Sequence, residues 1–185
     1  MKNYFLPFFF LLLILFVNSC SSENDQKKVI TIEQEEQILQ TEPGASFQVK
    51  ENTEICTQDG KPIIRLFATT WCPHCKWIKE TYIDVMQEYM AKGEIVAYLW
   101  NADVGDNVLT EKTETVLPRE ENVIFQEFNS QQSIPTYIFG CKYSRVGNAF
   151  EGKSASQKTL LAAEVKEFRF IIDKVIAEAK EQTAQ

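Results

Sequence analysis

Residues 62–75 read PIIRLFATTWCPHC, an apolar run that leads directly into two cysteines separated by two residues. The run from Pro62 to Ala68 is short, rich in aliphatic residues and bounded by polar residues, which is typical of a buried β-strand. Pro73 is typical of the first turn of a helix, because the N–H that it lacks would have no partner there. This stretch therefore predicts a buried strand followed at once by a helix that begins at Cys72.

Apolar residues recur at three- and four-residue steps after the cysteines and again near the C-terminus, which predicts two amphipathic helices. The first covers about residues 76–92, and the second begins near Ser154 or Ser156, either of which can cap it. The other expected elements are strands at 94–100 and 135–140, a short helix at 120–128 and a second hairpin strand within 145–150. Alternating strands and helices of this kind predict an α/β domain.

The spacing of the two cysteines predicts a reactive pair. If Cys72 caps the helix, Cys75 lies on the same side, so the two sulfurs can form a disulfide. The Cys72 sulfur would accept the N–H groups of His74 and Cys75 and would face the positive end of the helix. These interactions favour the thiolate of Cys72, which is the nucleophilic form of cysteine. We therefore expect Cys72 to be the nucleophile and Cys75 to be its resolving partner.

His74 is the single histidine of the chain, which excludes any relay that needs a second imidazole. A positive charge between two cysteines stabilises the thiolate more than the disulfide and so raises the reduction potential. We therefore expect an oxidising couple, with a solvent-facing His74 of no redox role as the alternative. The predicted catalytic residues are Cys72, Pro73, His74 and Cys75.

The motif WCPHC at residues 71–75, with SIPT at residues 133–136 about 60 positions later, resembles the thioredoxin superfamily. The resemblance covers about residues 61–150. It implies a thioredoxin-like fold with a central mixed sheet of four to five strands flanked by helices. It also implies a protein disulfide oxidoreductase activity for the chain.

The resemblance implies roles for residues near the cysteine pair. Pro135 is expected to follow a cis peptide bond and to face the two sulfurs, while Ile134 docks an extended peptide through its backbone. Trp71 and Thr136 are expected to belong to the same substrate-binding region. The alternatives are a plain trans turn at Pro135 and a packing role for Trp71.

Two departures from the family pattern affect the expected activity. The pair Pro73 and His74 resembles the Dsb-type periplasmic thiol oxidases, whereas Ile134 before the proline is more like a thioredoxin reductant. Many family members also carry a buried carboxylate six residues before the first cysteine, where this chain has Leu66. We therefore expect slow deprotonation of Cys75, because this proton acceptor is missing.

The resemblance also predicts a second cysteine pair. In a thioredoxin sheet, the strand after the cis proline runs antiparallel beside the strand before the redox motif. This arrangement places Cys141 near Cys56, so we expect a structural disulfide between them, which an exported compartment permits. Two free buried thiols are the alternative.

The N-terminus resembles that of an exported lipoprotein. Residues 1–19 contain one charged residue, Lys2, and a thirteen-residue apolar run that is too short to cross a bilayer but suits a secretory signal peptide. Val17-Asn18-Ser19-Cys20 resembles a bacterial lipobox, so we expect lipid on Cys20. A short uncleaved anchor, or an ordinary signal with a chance cysteine, is the alternative.

The resulting domain prediction has three parts. These are a lipoprotein-type signal peptide at 1–19, a polar tether at 20–46 and a thioredoxin-like domain at 47–185. A helix packed on the domain is the alternative for part of the tether. The protein would then be lipid-anchored at the periplasmic or extracytoplasmic face of a cell-envelope membrane.

The net charge and the sequence motifs indicate which classes of partner the protein can have. With 26 acidic and 19 basic side chains and a net charge of −7, the chain has no broad basic surface for nucleic acid. We expect an enzyme without cofactor or metal that acts on exported proteins containing thiols or disulfides, in the oxidising rather than the reducing direction, and that exchanges electrons with a membrane redox partner. The alternative is an exported copper-binding or delivery module of the same fold, which would use Cys72, His74 and Cys75. Such modules also use a distal histidine that this chain lacks.

Overall fold

The computed structural model describes residues 32–184. The expected signal peptide at 1–19 and the expected lipidation site at Cys20 lie outside the described residues. The elements in chain order are α1 (Ile32–Leu39), β1 (Gln48–Val49), β2 (Thr57–Gln58), β3 (Lys61–Ala68), α2 (Pro73–Ala91), β4 (Val96–Asn101), β5 (Asp106–Asn107), α3 (Arg119–Phe128), β6 (Thr136–Phe139), β7 (Tyr143–Val146) and α4 (Gln157–Thr183). None of the described helices has the length and apolar character needed to cross a bilayer.

The domain is α/β, as the sequence predicts, and its strands form the mixed sheet that the resemblance implies. Its order is β1-β7-β6-β3-β4-β5, and β2 pairs with β3 outside this path. Strand β3 lies at the centre, parallel to β4 and antiparallel to β6. The sheet has seven strands instead of the expected four to five. The additional strands β1, β2 and β5 have two residues each, and strands of this length leave no periodic pattern in a sequence.

Strand β3 is buried on both faces, which explains its nearly continuous apolar sequence. On one face, Ile64 and Leu66 belong to the main core, to which α2 and α4 also contribute. On the other face, Phe67 stacks on Phe125 of α3, with the ring centroids 4.5 Å apart. Helices therefore cover both sides of the sheet, and the carboxyl end of β3 leads directly into α2.

The hairpin after the expected proline loop begins earlier than predicted. The sequence places its second strand within 145–150, but β7 pairs with β6 from Tyr143 onward. The connection is short because Gly140 and Cys141 both have positive φ, 62° and 55°. Glycine is needed at the first of these positions, since a Cβ there would lie 2.2 Å from Val175 Cγ1. The tight turn fixes the position of Cys141.

The segment before the sheet contains a packed helix, which is the alternative that the sequence leaves open for part of the tether. The Glu35 carboxylate at the start of α1 accepts a hydrogen bond of 2.9 Å from the Ser156 N–H. Lys166 of α4 donates to the Leu39 carbonyl at 2.8 Å. Ile38 packs against the cluster around Phe150. Residues 32–39 are therefore attached to the domain.

Candidate active site at the start of helix α2

The first cysteine caps helix α2, as the sequence predicts. Cys72 has extended backbone angles, φ −70° and ψ 121°, and Pro73 occupies the first turn. The Cys72 sulfur accepts a hydrogen bond of 3.2 Å from the Cys75 N–H. Of the two donors predicted for this sulfur, the structure shows Cys75. The Cys72 sulfur therefore lies at the positive end of a 19-residue helix.

Both cysteines of this pair are free thiols and both are buried. The exposed fraction is 2% for Cys72 and 3% for Cys75. Their neighbours Trp71, Pro73 and His74 are exposed, and Trp71 has 67% of its surface open to solvent. The sulfurs thus lie beneath a surface formed by the other residues of the motif, and a large exposed aromatic ring adjoins the first of them.

Burial has a marked effect on the second thiol. Burial is the largest of the effects that together raise the pKa of Cys75 to about 12; the hydrogen bond with Cys72 acts in the same direction, and a hydrogen bond with the Thr69 backbone acts against both. Cys75 is therefore a thiol at neutral pH. To attack a mixed disulfide on Cys72, it must first lose a proton to a base.

A cavity of about 140 Å³ lies beside Cys75. Leu66, where the resemblance predicts a missing carboxylate, lines it from β3, and Lys76 and Lys79 line it from α2. None of the described residues around this cavity is Asp or Glu. The Thr69 hydroxyl at its wall is buried and makes no hydrogen bond within the described residues. The described residues that line this cavity therefore give Cys75 no carboxylate as a proton acceptor.

The loop between β3 and α2 is held by a residue that sequence analysis did not single out. Asp103, just after β4, accepts hydrogen bonds from the Thr70 N–H at 3.0 Å and from the Thr70 hydroxyl at 2.5 Å. Burial acts to raise the pKa of Asp103, but the hydrogen bonds from Thr70 outweigh it and hold this pKa below its usual value. The carboxylate thus fixes the residues that precede the cysteine motif.

A groove adjoins the motif on the side of the hairpin. His74, Ile134, Pro135, Asn148 and Glu151 line it, together with two glycines of the loop after β7. The peptide bond between Ile134 and Pro135 is cis. The pairing of β6 with β3 ends at Thr136, so the backbone of Ile134 lies beyond the end of the paired strand.

Thr136, which the sequence predicts to bind substrate, is fully buried. Its hydroxyl donates to the Ser133 carbonyl at 2.6 Å and accepts from the Asn129 amide at 2.8 Å. The side chain therefore shapes the loop before Pro135 from inside the fold and does not face the groove.

His74 takes part in a network that the sequence did not reveal. Its Nδ1 lies 3.0 Å from Glu151 Oε2, and its carbonyl accepts a hydrogen bond of 2.9 Å from Asn148. Asn148 also donates to Glu151 at 2.7 Å and accepts from the buried Tyr137 hydroxyl at 2.5 Å. These partners are 63 or more residues away from His74 in the sequence, and the flanking Gly147 and Gly152 are the one local signal of a loop there.

The second cysteine pair is oxidised, as the resemblance implies. Cys56 and Cys141 form a disulfide across 85 residues of sequence, with their Cα atoms 5.5 Å apart. The Cys56 N–H donates to the Gly140 carbonyl at 3.0 Å, and its carbonyl accepts from the Ile63 N–H at 3.1 Å. The bridge therefore joins the entry to strand β3 with the turn between β6 and β7.

Within residues 32–184, no group of three or more His, Cys, Asp or Glu side chains could hold a metal ion. The Nδ1 atom of His74 faces Glu151, and both cysteines are buried. The copper-binding alternative therefore gains no support from the described residues.

Comparisons with known proteins identify no relative: no family model matches the chain, and neither curated proteins nor solved structures contain a match. The site geometry is the basis on which a function can be proposed.

Proposed function

We propose that the chain is a thiol–disulfide oxidoreductase of thioredoxin-like fold that acts through Cys72 and Cys75. The hydrogen bond from the Cys75 N–H to the Cys72 sulfur at the start of α2 is the observation that carries this proposal. It joins two free thiols in the first turn of a helix, an arrangement in which one sulfur can exchange with a substrate and the other can resolve the mixed disulfide. The parallel β3–α2–β4 unit and the antiparallel β6–β7 hairpin support the thioredoxin-like assignment, because the superfamily combines the same two units.

The chemistry of an oxidation cycle follows from the roles of the two sulfurs. A substrate thiolate attacks the Cys72 sulfur of the oxidised pair, the Cys72–Cys75 bond breaks, and Cys75 leaves with the electron pair. A second substrate thiolate then attacks the mixed disulfide, so the substrate gains a disulfide and Cys72 becomes a thiolate. The two electrons pass to a membrane redox partner, which restores the oxidised pair. Reduction of a substrate is the same sequence in reverse.

The groove beside the motif suits an extended peptide. The backbone of Ile134 lies beyond the end of the β3–β6 pairing, so a substrate segment can add to it as a short strand. Trp71, which precedes Cys72 in the chain, offers an exposed aromatic surface. Both features support binding of a substrate segment beside the cysteine motif.

We propose the oxidising direction and an exported location on the basis of the sequence. His74 between the cysteines favours the reduced form, which makes the couple oxidising. The apolar run before Cys20 favours export with a lipid anchor at a cell-envelope membrane. The disulfide between Cys56 and Cys141 supports this location, because such bridges persist in oxidising compartments.

A test of the proposal compares two single-cysteine variants with the wild-type chain in turnover of insulin and of a reduced model peptide. Cys72→Ser is expected to lower turnover by about 10³-fold or more, because the attacking sulfur is gone. Cys75→Ser, the matched control, keeps Cys72 and is expected to accumulate a mixed disulfide at that residue. Full turnover by Cys72→Ser, or no exchange by the wild type, contradicts the proposal. Copper bound in a 1:1 ratio without exchange activity would support the copper-binding alternative.

The direction is tested by the reduction potential of the Cys72/Cys75 couple in glutathione buffers. A value of about −120 mV supports an oxidase, whereas about −270 mV or below supports a reductant. Peptide mapping after alkylation keeps the two pairs distinct in this measurement.

A further inference from the structure

A buried cation lies against the second cysteine pair. Arg65 of β3 has 5% of its surface exposed. Its Nη1 lies 3.4 Å from the Cys56 sulfur and 3.6 Å from the Cys141 sulfur. Both cysteines are half-buried, so the bridge is not enclosed in the core as Arg65 is.

The guanidinium is held in place. Arg65 Nε donates to Glu121 Oε2 at 2.7 Å, and Arg65 Nη2 donates to Glu121 Oε1 at 2.9 Å. The Trp100 indole N–H also donates to Glu121, at 3.2 Å. Because two of its nitrogens are paired with one carboxylate, the third stays aimed at the sulfurs.

The contact of Arg65 with the sulfurs has a different strength in the disulfide and dithiol states of Cys56 and Cys141. A disulfide sulfur is a weak hydrogen-bond acceptor, so the contact does little for the bridge. A thiolate in the same position would receive a charge-assisted hydrogen bond from a cation that is already desolvated and oriented. Arg65 therefore stabilises the reduced pair more than the oxidised pair, and it also makes either sulfur a better leaving group.

We infer that Cys56 and Cys141 form a second thiol–disulfide exchange site, which reacts with small thiols or dithiols from solution and in which Arg65 stabilises the released thiolate. An external thiolate attacks one sulfur of the bridge, the Cys56–Cys141 bond breaks, and the electron pair goes to the other sulfur beside Arg65. A second external thiolate then attacks the external sulfur of this mixed disulfide and the protein cysteine leaves as a thiolate, so the external thiols become a disulfide and Cys56 and Cys141 become a dithiol. This site uses none of the residues of the Cys72/Cys75 chemistry.

The backbone allows the bridge to form again after reduction. The Cys56 N–H bonds to the Gly140 carbonyl at 3.0 Å, and the Gly140 N–H bonds to the Ile63 carbonyl at 2.8 Å. These bonds do not involve the sulfurs, so they keep the two cysteines together when the bridge opens. Exchange at this site therefore needs no unfolding.

The test uses the full chain with Cys72→Ser and Cys75→Ser, so that the second pair is observed separately from the first. The protein is equilibrated in mixtures of reduced and oxidised glutathione without denaturant, alkylated and mapped, which also reports Cys20 on its own peptide. Circular dichroism confirms that each variant is folded. We expect Cys56 and Cys141 to exchange with glutathione while the protein stays folded. A bridge that remains fully oxidised in the folded protein, even in excess dithiothreitol, overturns the inference.

Two changes to the buried ion pair give opposite expected results. Glu121→Gln removes the countercharge of Arg65 and is expected to shift the equilibrium toward the dithiol about tenfold, which is about 30 mV for a two-electron couple. Arg65→Gln combined with Glu121→Gln removes both charges and is expected to shift it about tenfold toward the disulfide relative to the unchanged pair. Loss of packing alone would move both variants in the same direction, and that outcome overturns the inference.

A third variant covers the case in which the double change prevents folding. Arg65→Lys keeps a positive charge at the site. The thiol–disulfide equilibrium of Cys56 and Cys141 in this variant is expected to lie closer to that with Arg65 and Glu121 unchanged than to that of the variant with both replaced by Gln. If the neutral pair does not fold, the Glu121→Gln result decides alone, and no shift or a shift toward the disulfide overturns the inference.

Discussion

The two cysteine pairs of this chain are built in different ways. Cys72 and Cys75 lie in the first turn of one helix, are reduced and are almost completely buried. Cys56 and Cys141 are 85 residues apart, are bridged and are half-buried. The Cys72 sulfur accepts a backbone N–H and Cys75 lines a cavity, whereas the Cys56 and Cys141 sulfurs lie against a buried guanidinium.

The number of residues between the two cysteines of a pair determines how strongly their disulfide affects the stability of the chain. Closing or opening the Cys72/Cys75 bond changes one helical turn, so the pair can change redox state with little effect on the chain. The Cys56–Cys141 bond closes a long loop across the sheet, so its main thermodynamic effect is on the unfolded state. The second pair is therefore expected to contribute more to the free energy of unfolding than the first.

The largest expected effect is a loss of stability when the second cysteine pair is removed. Replacing Cys56 and Cys141 by serine is expected to lower the free energy of unfolding by about 2–4 kcal/mol, because the unfolded chain regains the entropy of an 85-residue loop. Urea denaturation of the oxidised protein measures this loss. The matched control replaces Cys72 and Cys75 by alanine and is expected to cost about 1 kcal/mol. Equal losses in the two double variants would show that the pairs do not differ in this way.

The next effect concerns the pH dependence of the rate at which Cys75 attacks a mixed disulfide on Cys72. Burial, followed by the hydrogen bond with Cys72, raises the pKa of Cys75 to about 12. Below that value the thiolate fraction of Cys75 increases about tenfold per pH unit, so its attack on a mixed disulfide at Cys72 is expected to accelerate about 100-fold from pH 7 to pH 9. Quenched-flow release of a labelled thiol from Cys72 measures this rate. A rate that is independent of pH over this range would show that Cys75 is already ionised.

A smaller effect is expected from supplying the missing proton acceptor. Leu66 is buried on β3 and lines the cavity beside Cys75. Leu66→Asp places a carboxylate there and is expected to accelerate the release of the labelled thiol about tenfold at pH 7 through general base catalysis. Leu66→Asn, the matched control, has a similar shape and a similar cost in stability but does not accept a proton. Equal rates in the two variants would indicate that proton removal from Cys75 does not limit the reaction.

The elements with strong local patterns could be predicted from the sequence. The apolar run of β3, the helical periodicity of α2 and α4, and the helix cap at Cys72 all depend on neighbouring residues. Ser156, and not Ser154, caps α4, accepting the Thr159 N–H at 3.3 Å. A choice between two serines so close together depends on the packing of the preceding loop.

The contacts between distant segments could not be predicted in the same way. Arg65 is the one charged residue within an apolar strand after its first position, but no local pattern pairs it with Glu121 on α3. The link between His74 and Glu151 likewise exists because the loop after β7 returns to the start of α2. The pairing of Cys56 with Cys141 could be expected because the family resemblance supplied a sheet topology.

The smallest expected effect tests whether the loop after β7 changes the reduction potential of the Cys72/Cys75 couple. Glu151 places a negative charge beside His74, which offsets the positive environment at the start of α2. Glu151→Gln is therefore expected to stabilise the Cys72 thiolate and to shift the Cys72/Cys75 equilibrium toward the dithiol about threefold, or about 14 mV. The shift is small because His74 is 61% exposed and solvent screens the charge.

The control, Glu80→Gln, makes the same charge change at an exposed position later in α2 and is expected to leave the potential of the Cys72/Cys75 couple unchanged. An equal shift in both variants would indicate a general effect of net charge, and a shift toward the disulfide in Glu151→Gln would show that the carboxylate acts on Cys72 mainly by orienting His74.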